Sequence, residues 1–133
     1  MGPTDVLLGD TMGELRKFYL LGTIVFIGRS LVSMGGSDPI EAAALGKPLL
    51  SGPHMENFAV PVRCLTEAAA MRTVTGAAEL AKAVQTMLAN PGQLREMGDR
   101  ARQVVLDNQG ATARHVEAIR SVALSVNSNA PAG

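Results

Sequence analysis

The sequence has no tryptophan, and aromatic residues make up only 3% of its 133 residues. So few flat rings leave no platform on which the bases of a single-stranded nucleic acid could stack. An excess of charge is also lacking, since 12 basic residues balance 12 acidic ones. Nothing therefore draws the chain to a nucleic-acid backbone. The single cysteine, Cys64, excludes an internal disulfide and fits a reducing compartment. No apolar run reaches the ~18 residues of a bilayer span. The first apolar patch, Val6-Leu7-Leu8, is too short for a secretory signal. These absences describe a soluble, cytoplasmic chain of one domain or part of one. No metal or other cofactor is expected.

What the chain does have is glycine in telling places. Ser33-Met34-Gly35-Gly36-Ser37-Asp38-Pro39-Ile40-Glu41-Ala42-Ala43-Ala44-Leu45-Gly46-Lys47-Pro48 is the richest stretch. Two glycines free the backbone, Asp38-Pro39 opens a short helix, and Gly46-Lys47-Pro48 closes it. The run Thr23–Ile27 before it and Leu49-Leu50 after it read as strands. A strand, a glycine loop and a helix start together predict an anion site, for a phosphate or a nucleotide. The stretch is neither a dinucleotide fingerprint nor a P-loop. It has no G-x-G-x-x-G, and Gly46-Lys47 lies at the wrong end of the helix.

Along the chain, Val6-Leu7-Leu8 reads as a buried strand. A helix follows to about Leu21, with Thr11 and Glu14 as a capping box and Leu15, Phe18 and Tyr19 on one face. After the two strands above, a helix is predicted from about Asn57 to Ala70, then an edge strand over Met71–Val74. Thr75 caps a helix to Ala89, with Leu80, Val84, Met87 and Leu88 in one stripe. Asn90-Pro91 starts another, with Leu94, Met97, Ala101 and Val104 inward, ending at Asn108-Gln109-Gly110. A last helix covers Ala111 to about Val126, with Val116, Ile119 and Ala123 inward. The small, polar residues 127–133 read as a disordered tail. The fold class is α/β: a partial Rossmann-like, doubly wound parallel sheet of about four strands with C-terminal helices. The loops after Leu8, Ile27 and Leu50 should converge at the carboxyl edge, where such sheets bind ligands.

Three segments, Leu7–Leu15, Gly35–Pro48 and Ser51-Gly52-Pro53-His54 with Asn57-Phe58, resemble in order and spacing the C-terminal half of the 3-deoxy-D-manno-octulosonic acid (Kdo) transferases. These are two-domain enzymes of the glycosyltransferase-B type that build lipopolysaccharide. The resemblance runs over nearly the whole chain. It implies that residues 1–126 form the nucleotide-sugar-binding half-domain, without its first strands. It further implies a CMP-Kdo donor, a lipid A precursor as acceptor, and a parent protein at the cytoplasmic face of the inner membrane. By position, Met12, Gly13, Glu14, Gly35, Gly36, Ser37, Glu41 and Asn57 match donor-binding residues, with Arg29 and His54 as candidate phosphate contacts. The catalytic base is expected in the N-terminal domain, and no residue here is nominated for it. Where the family usually carries His-Asn this chain has Ser37-Asp38, and where it usually has Gly it has Arg29.

Plainer readings stand beside these. Glu41 lies three residues after Asp38 and Glu14 three after Thr11, so each can serve a helix start alone. His54 can be a half-exposed turn residue. Other functions remain open: a different nucleotide-sugar enzyme of this fold, a sugar transferase or an epimerase, or a fragment that assembles without catalysis. In the usual strand order of such a sheet, the Thr23–Ile27 strand would have an exposed edge. That edge predicts a homodimer.

Overall fold

The computed structural model describes residues 6–128. Its elements run α1 (Leu15–Leu21), β1 (Val25–Ile27), α2 (Ile40–Ala44), β2 (Leu49–Ser51), a 3-10 turn (Glu56–Phe58), α3 (Ala59–Glu67), β3 (Met71–Thr73), α4 (Ala77–Leu88) and α5 (Pro91–Ser128). The strands form one parallel, three-stranded sheet in the order β1-β2-β3. The α/β class and the parallel sheet follow the sequence reading, with three strands in place of four.

The difference lies at Val6-Leu7-Leu8, which is irregular and 82%, 79% and 82% exposed. A run of three apolar residues becomes a strand only where a neighbour completes its ladder. No described strand lies beside it. β1 pairs with β2 alone, so its other edge is open among the described residues.

The sheet is covered on both faces. Val25, Ile27, Leu49 and Met71 point to one, where Ala42 and Ala43 of α2, Leu65 of α3, and Ala101 and Val105 of α5 close over them. Leu50 points to the other and meets Val74, Ala83, Met87 and Leu94. The period of two along β2 thus sorts its residues between two cores. The first half of α5 contributes to both, through Leu94 and then Ala101. α5 crosses very close to the end of α2, because a Cβ on Gly98 would stand 2.1 Å from the Gly46 carbonyl oxygen.

Several helix boundaries move. α1 begins at Leu15 with Glu14 at its N-cap, one turn later than Thr11 implied. The Thr11 hydroxyl donates to the Glu14 carboxylate and, among the described residues, does not accept a backbone N–H as a cap would. α3 covers Ala59–Glu67 rather than 57–70, with the 3-10 turn before it and Ala69 at φ +52° after it. α4 starts after Gly76, while Thr75 donates its N–H and hydroxyl to Glu79 at 2.8 Å each. Leu88 is exposed and Ala83 takes the inward place.

The largest correction concerns the C-terminal helices. Asn108-Gln109-Gly110 does not break the chain, and one helix of 38 residues replaces two. Glycine in a helix costs about 1 kcal/mol but blocks no hydrogen bond. Asn108 stays helical while its amide donates to the Val104 carbonyl at 2.8 Å. Val116, Ile119 and Ala123, expected inward, are exposed because no described element packs on that half. The predicted tail at 127–133 overlaps this helix to Ser128, and 129–133 lie outside the described residues.

Candidate functional site

The carboxyl edge of the sheet is built from two loops, residues 28–39 after β1 and 52–58 after β2. Ser30, fully buried, stitches them. Its hydroxyl donates to the Ile27 carbonyl at 2.5 Å and accepts the Gly52 N–H at 2.7 Å. Its carbonyl accepts the His54 N–H at 2.9 Å. Gly52 must be glycine here, since a Cβ would lie 2.1 Å from the Ser30 oxygen.

Gly35 and Gly36 have φ of +78° and +75°, the left-handed region that side chains disfavour. Each also abuts the second loop. A Cβ on Gly35 would sit 2.2 Å from Asn57 Nδ2, and one on Gly36 would sit 2.3 Å from Met55 Sδ. The Asn57 N–H donates to the Gly35 carbonyl at 3.4 Å. Of the two glycines, Gly36 donates its N–H to Arg29 at 3.2 Å, whereas the Gly35 N–H has no acceptor among the described residues. Arg29 itself stands at φ +61° and donates to the Met34 carbonyl at 3.3 Å, bracing the loop from within.

α2 starts one residue later than the sequence implied, with Pro39 at the N-cap in place of Asp38 and Ile40 as the first helical residue. The Ile40 N–H still donates to Asp38 Oδ1 at 2.9 Å, so the Asp38 side chain serves the helix start from just outside it. Ser37 is half-buried beside it and Glu41 is exposed on the first turn. Tyr19 of α1 reaches this corner. Its partial burial, and then the charges of Glu41 and Asp38, hold its phenol above the usual range. His54 Nδ1 lies 3.2 Å from Glu56 Oε1. A backbone hydrogen bond of its own, then His54, hold the Glu56 carboxyl below the usual range.

The structure thus gathers Arg29, Gly35, Gly36, Ser37, Glu41, His54 and Asn57 around one edge. Met12, Gly13 and Glu14 stand apart from that network. Met12 is 98% exposed, and Glu14 engages Thr11 and Lys17, the latter at 2.8 Å. The third loop has no strand to place it at the edge. Ser30 and Met55 escaped the sequence reading because neither residue type signals a loop-to-loop contact; only their positions after β1 and β2 do. No group of three or more His, Cys, Asp or Glu that could hold a metal occurs among the described residues.

A groove of about 470 Å³ lies at the opposite, amino end of the strands, between Leu21, Thr23, Lys47, Pro48 and Arg95. Lys47 donates there to the Leu20 and Gly22 carbonyls at 2.9 and 2.8 Å, closing the C-terminus of α1. The Gly-Lys-Pro segment is therefore a structural closure, and the groove holds none of the candidate residues.

The chain is 35% identical over 118 residues to the 3-deoxy-D-manno-octulosonic acid transferase of Haemophilus influenzae, covering 88% of this chain and 28% of that protein. With the enzyme of the same name from Bordetella pertussis it shares 37% over 116 residues, 86% of this chain and 27% of that one. It thus spans little more than a quarter of these curated relatives. Among solved structures, the C-terminal CMP-Kdo binding domain of WaaA from Acinetobacter baumannii superposes with a TM-score of 0.70 at 29% identity. That match covers 74% of this chain and 51% of that one. No family model matches the chain.

Proposed function

Because the chain belongs to the 3-deoxy-D-manno-octulosonic acid transferase family, we propose that it is the donor-binding part of such an enzyme. CMP-Kdo is the ligand, held at the carboxyl edge of the sheet. The observation that carries this reading is the loop junction: two glycines at positive φ, seated on Asn57 and Met55, beside the α2 start. The Gly35 N–H and the Ser37 hydroxyl are the donors for the nucleotide phosphate. Glu41 accepts hydrogen bonds from the ribose hydroxyls. His54, Asn57 and Arg29 line the same edge. Met12, Gly13 and Glu14 are assigned to the donor by their match to the family, from a loop that stands apart from this edge.

In the reaction an acceptor hydroxyl on a lipid A precursor forms a bond to the anomeric carbon of Kdo. The bond from that carbon to the CMP phosphate oxygen breaks, and CMP leaves with the electron pair. The task of these residues is to fix the donor and stabilise charge on the departing phosphate. The base that takes the acceptor proton is assigned to no residue of this chain. The place of work in this reading is the cytoplasm, with the parent protein at the cytoplasmic face of the inner membrane. Among the described residues no helix is long and apolar enough to cross a membrane.

Titration of the isotopically labelled chain with CMP and with UMP tests this. CMP should shift the amides of Gly35, Gly36 and Glu41 at millimolar concentration, with UMP weaker and no Kdo transfer by the chain alone. Unmoved amides end the donor reading, and a preference for UMP transfers the site to a different nucleotide sugar.

A compatible second reading concerns assembly. The open edge of β1 favours a two-fold dimer paired through that strand. Light scattering across a concentration series should find the dimer; a monomer of 13.9 kDa throughout excludes it.

A further inference from the structure

Two buried serines close the carboxyl end of the sheet, and their hydroxyls fare differently. Ser30 and Ser51 are both fully buried. The Ser30 hydroxyl donates and accepts, at 2.5 and 2.7 Å. The Ser51 hydroxyl has no hydrogen-bond partner among the described residues, and no other buried side-chain atom there shares that condition. An unmade hydrogen bond at a buried hydroxyl costs stability, and such an atom calls for a reason.

Its position supplies one. Ser51 is the last residue of the central strand, in register with Ile27 and Thr73. Alternation along β2 puts it on the same face as Leu49, the face that α2 and Met55 cover. The next residue, Gly52, begins the loop that carries His54 and Asn57. The hydroxyl therefore sits at the floor of the candidate edge. Met55, 5% exposed and seated against Gly36, belongs to the roof on that face. Methionine is unbranched and changes rotamer readily, so it makes a movable cover.

We propose that the Ser51 hydroxyl is a ligand-reading group of this site: it donates a hydrogen bond to a phosphate oxygen of the bound nucleotide when Met55 swings aside. This rests on the donor-binding reading and extends it to the floor of the sheet, where that reading assigned nothing. The hydroxyl goes unpaired in the free chain and is paired in the complex, so stability is exchanged for affinity.

The experiment compares the full chain with Ser51→Ala by urea unfolding and by titration with CMP, cytidine and UMP. Ser51→Ala should raise the urea midpoint and weaken CMP about tenfold, with cytidine binding unchanged because it has no phosphate. Met55→Ile, with a stiffer side chain, should slow CMP binding without raising the urea midpoint. Equal CMP affinity in Ser51→Ala and the parent chain overturns the inference, whichever way stability moves. Should the parent chain bind UMP in place of CMP, the donor assignment falls and the same comparison with UMP still decides Ser51. If neither nucleotide binds, both fall.

Discussion

The two ends of the sheet are closed by the same device and do different work. At the carboxyl end Gly52 lets the backbone pass Ser30, and at the amino end Gly98 lets α5 pass Gly46; in each case an added Cβ would meet a carbonyl oxygen at 2.1 Å. Each end also carries a cation bonded to backbone carbonyls, Arg29 on Met34 and Lys47 on Leu20 and Gly22. What separates them is what remains unengaged. The carboxyl end keeps the Gly35 N–H and the Ser51 hydroxyl without partners among the described residues, beside two glycines at positive φ. At the amino end the Lys47 ammonium is already bonded to two carbonyls. Glycine marks close packing at both ends, and among the described residues only the carboxyl end sets it beside a buried side-chain polar atom without a partner, the feature on which the proposed binding edge rests.

The strongest way to break this contrast is to substitute the two glycines in turn. Gly52→Ala should destabilise the chain by about 2–4 kcal/mol, because both clashing groups are backbone and overpacking finds no relief. Gly98→Ala should cost less, since alanine recovers ~1 kcal/mol of helix propensity. Urea melts measure both. Once corrected for the folded fraction, CMP binding should survive Gly98→Ala and be lost in Gly52→Ala.

A second pair sharpens the comparison with smaller effects. Lys47→Met removes the donor from two carbonyls and should lower stability by about 1–3 kcal/mol without touching CMP affinity. Glu41→Gln should do the reverse, weakening CMP by about 1.5–3 kcal/mol and stability by less than ~1 kcal/mol. Calorimetric titration beside thermal melting separates the two. A Glu41→Gln chain that melts lower and binds CMP unchanged would reduce Glu41 to a helix-start residue.

The smallest effect is spectroscopic. Tyr19 is the single tyrosine and tryptophan is absent, so ultraviolet absorbance reads its phenol alone. Partial burial comes first and the charges of Glu41 and Asp38 second, and both raise its folded pKa. The neutral phenol is thus favoured in the folded chain. Its contribution to stability is full below the unfolded value near 10 and is lost as pH rises through the folded value. The titration midpoint should lie above that of the urea-unfolded chain and move down in Glu41→Gln. No movement would mean that Glu41 does not face this corner.

Much of the architecture was legible because its signals are local. Asp38-Pro39 opens a helix and Gly46-Lys47-Pro48 ends it wherever they occur, and the branched residues of β1 need no remote information to be extended. The misread parts all turn on what packs where. Val6-Leu7-Leu8 has the composition of a strand, but pairing makes the strand. Asn108-Gln109-Gly110 has the composition of a break, yet each residue still makes the helical bond. Val116 and Ile119 have inward spacing, and spacing is silent on whether a surface faces them. At the site, the glycine loop could be found from sequence because two glycines before a helix start allow a close approach of a ligand to the backbone. Ser30, Ser51 and Met55 could not, since their importance comes from the register of β1 with β2.

The seating of Gly35 on Asn57 and of Gly36 on Met55 has a consequence for how this protein can vary over generations. The two loops cannot drift independently. A larger residue at 36, even asparagine, which tolerates left-handed backbone, fits only where the end of the Met55 side chain moves away or position 55 becomes smaller, and it still lies close to the His54 carbonyl. A smaller residue at 55 therefore widens what position 36 accepts, because it removes the side chain that would otherwise have to move. Random mutagenesis of a chain with Met55→Ala should accept substitutions at 36 that the parent chain rejects.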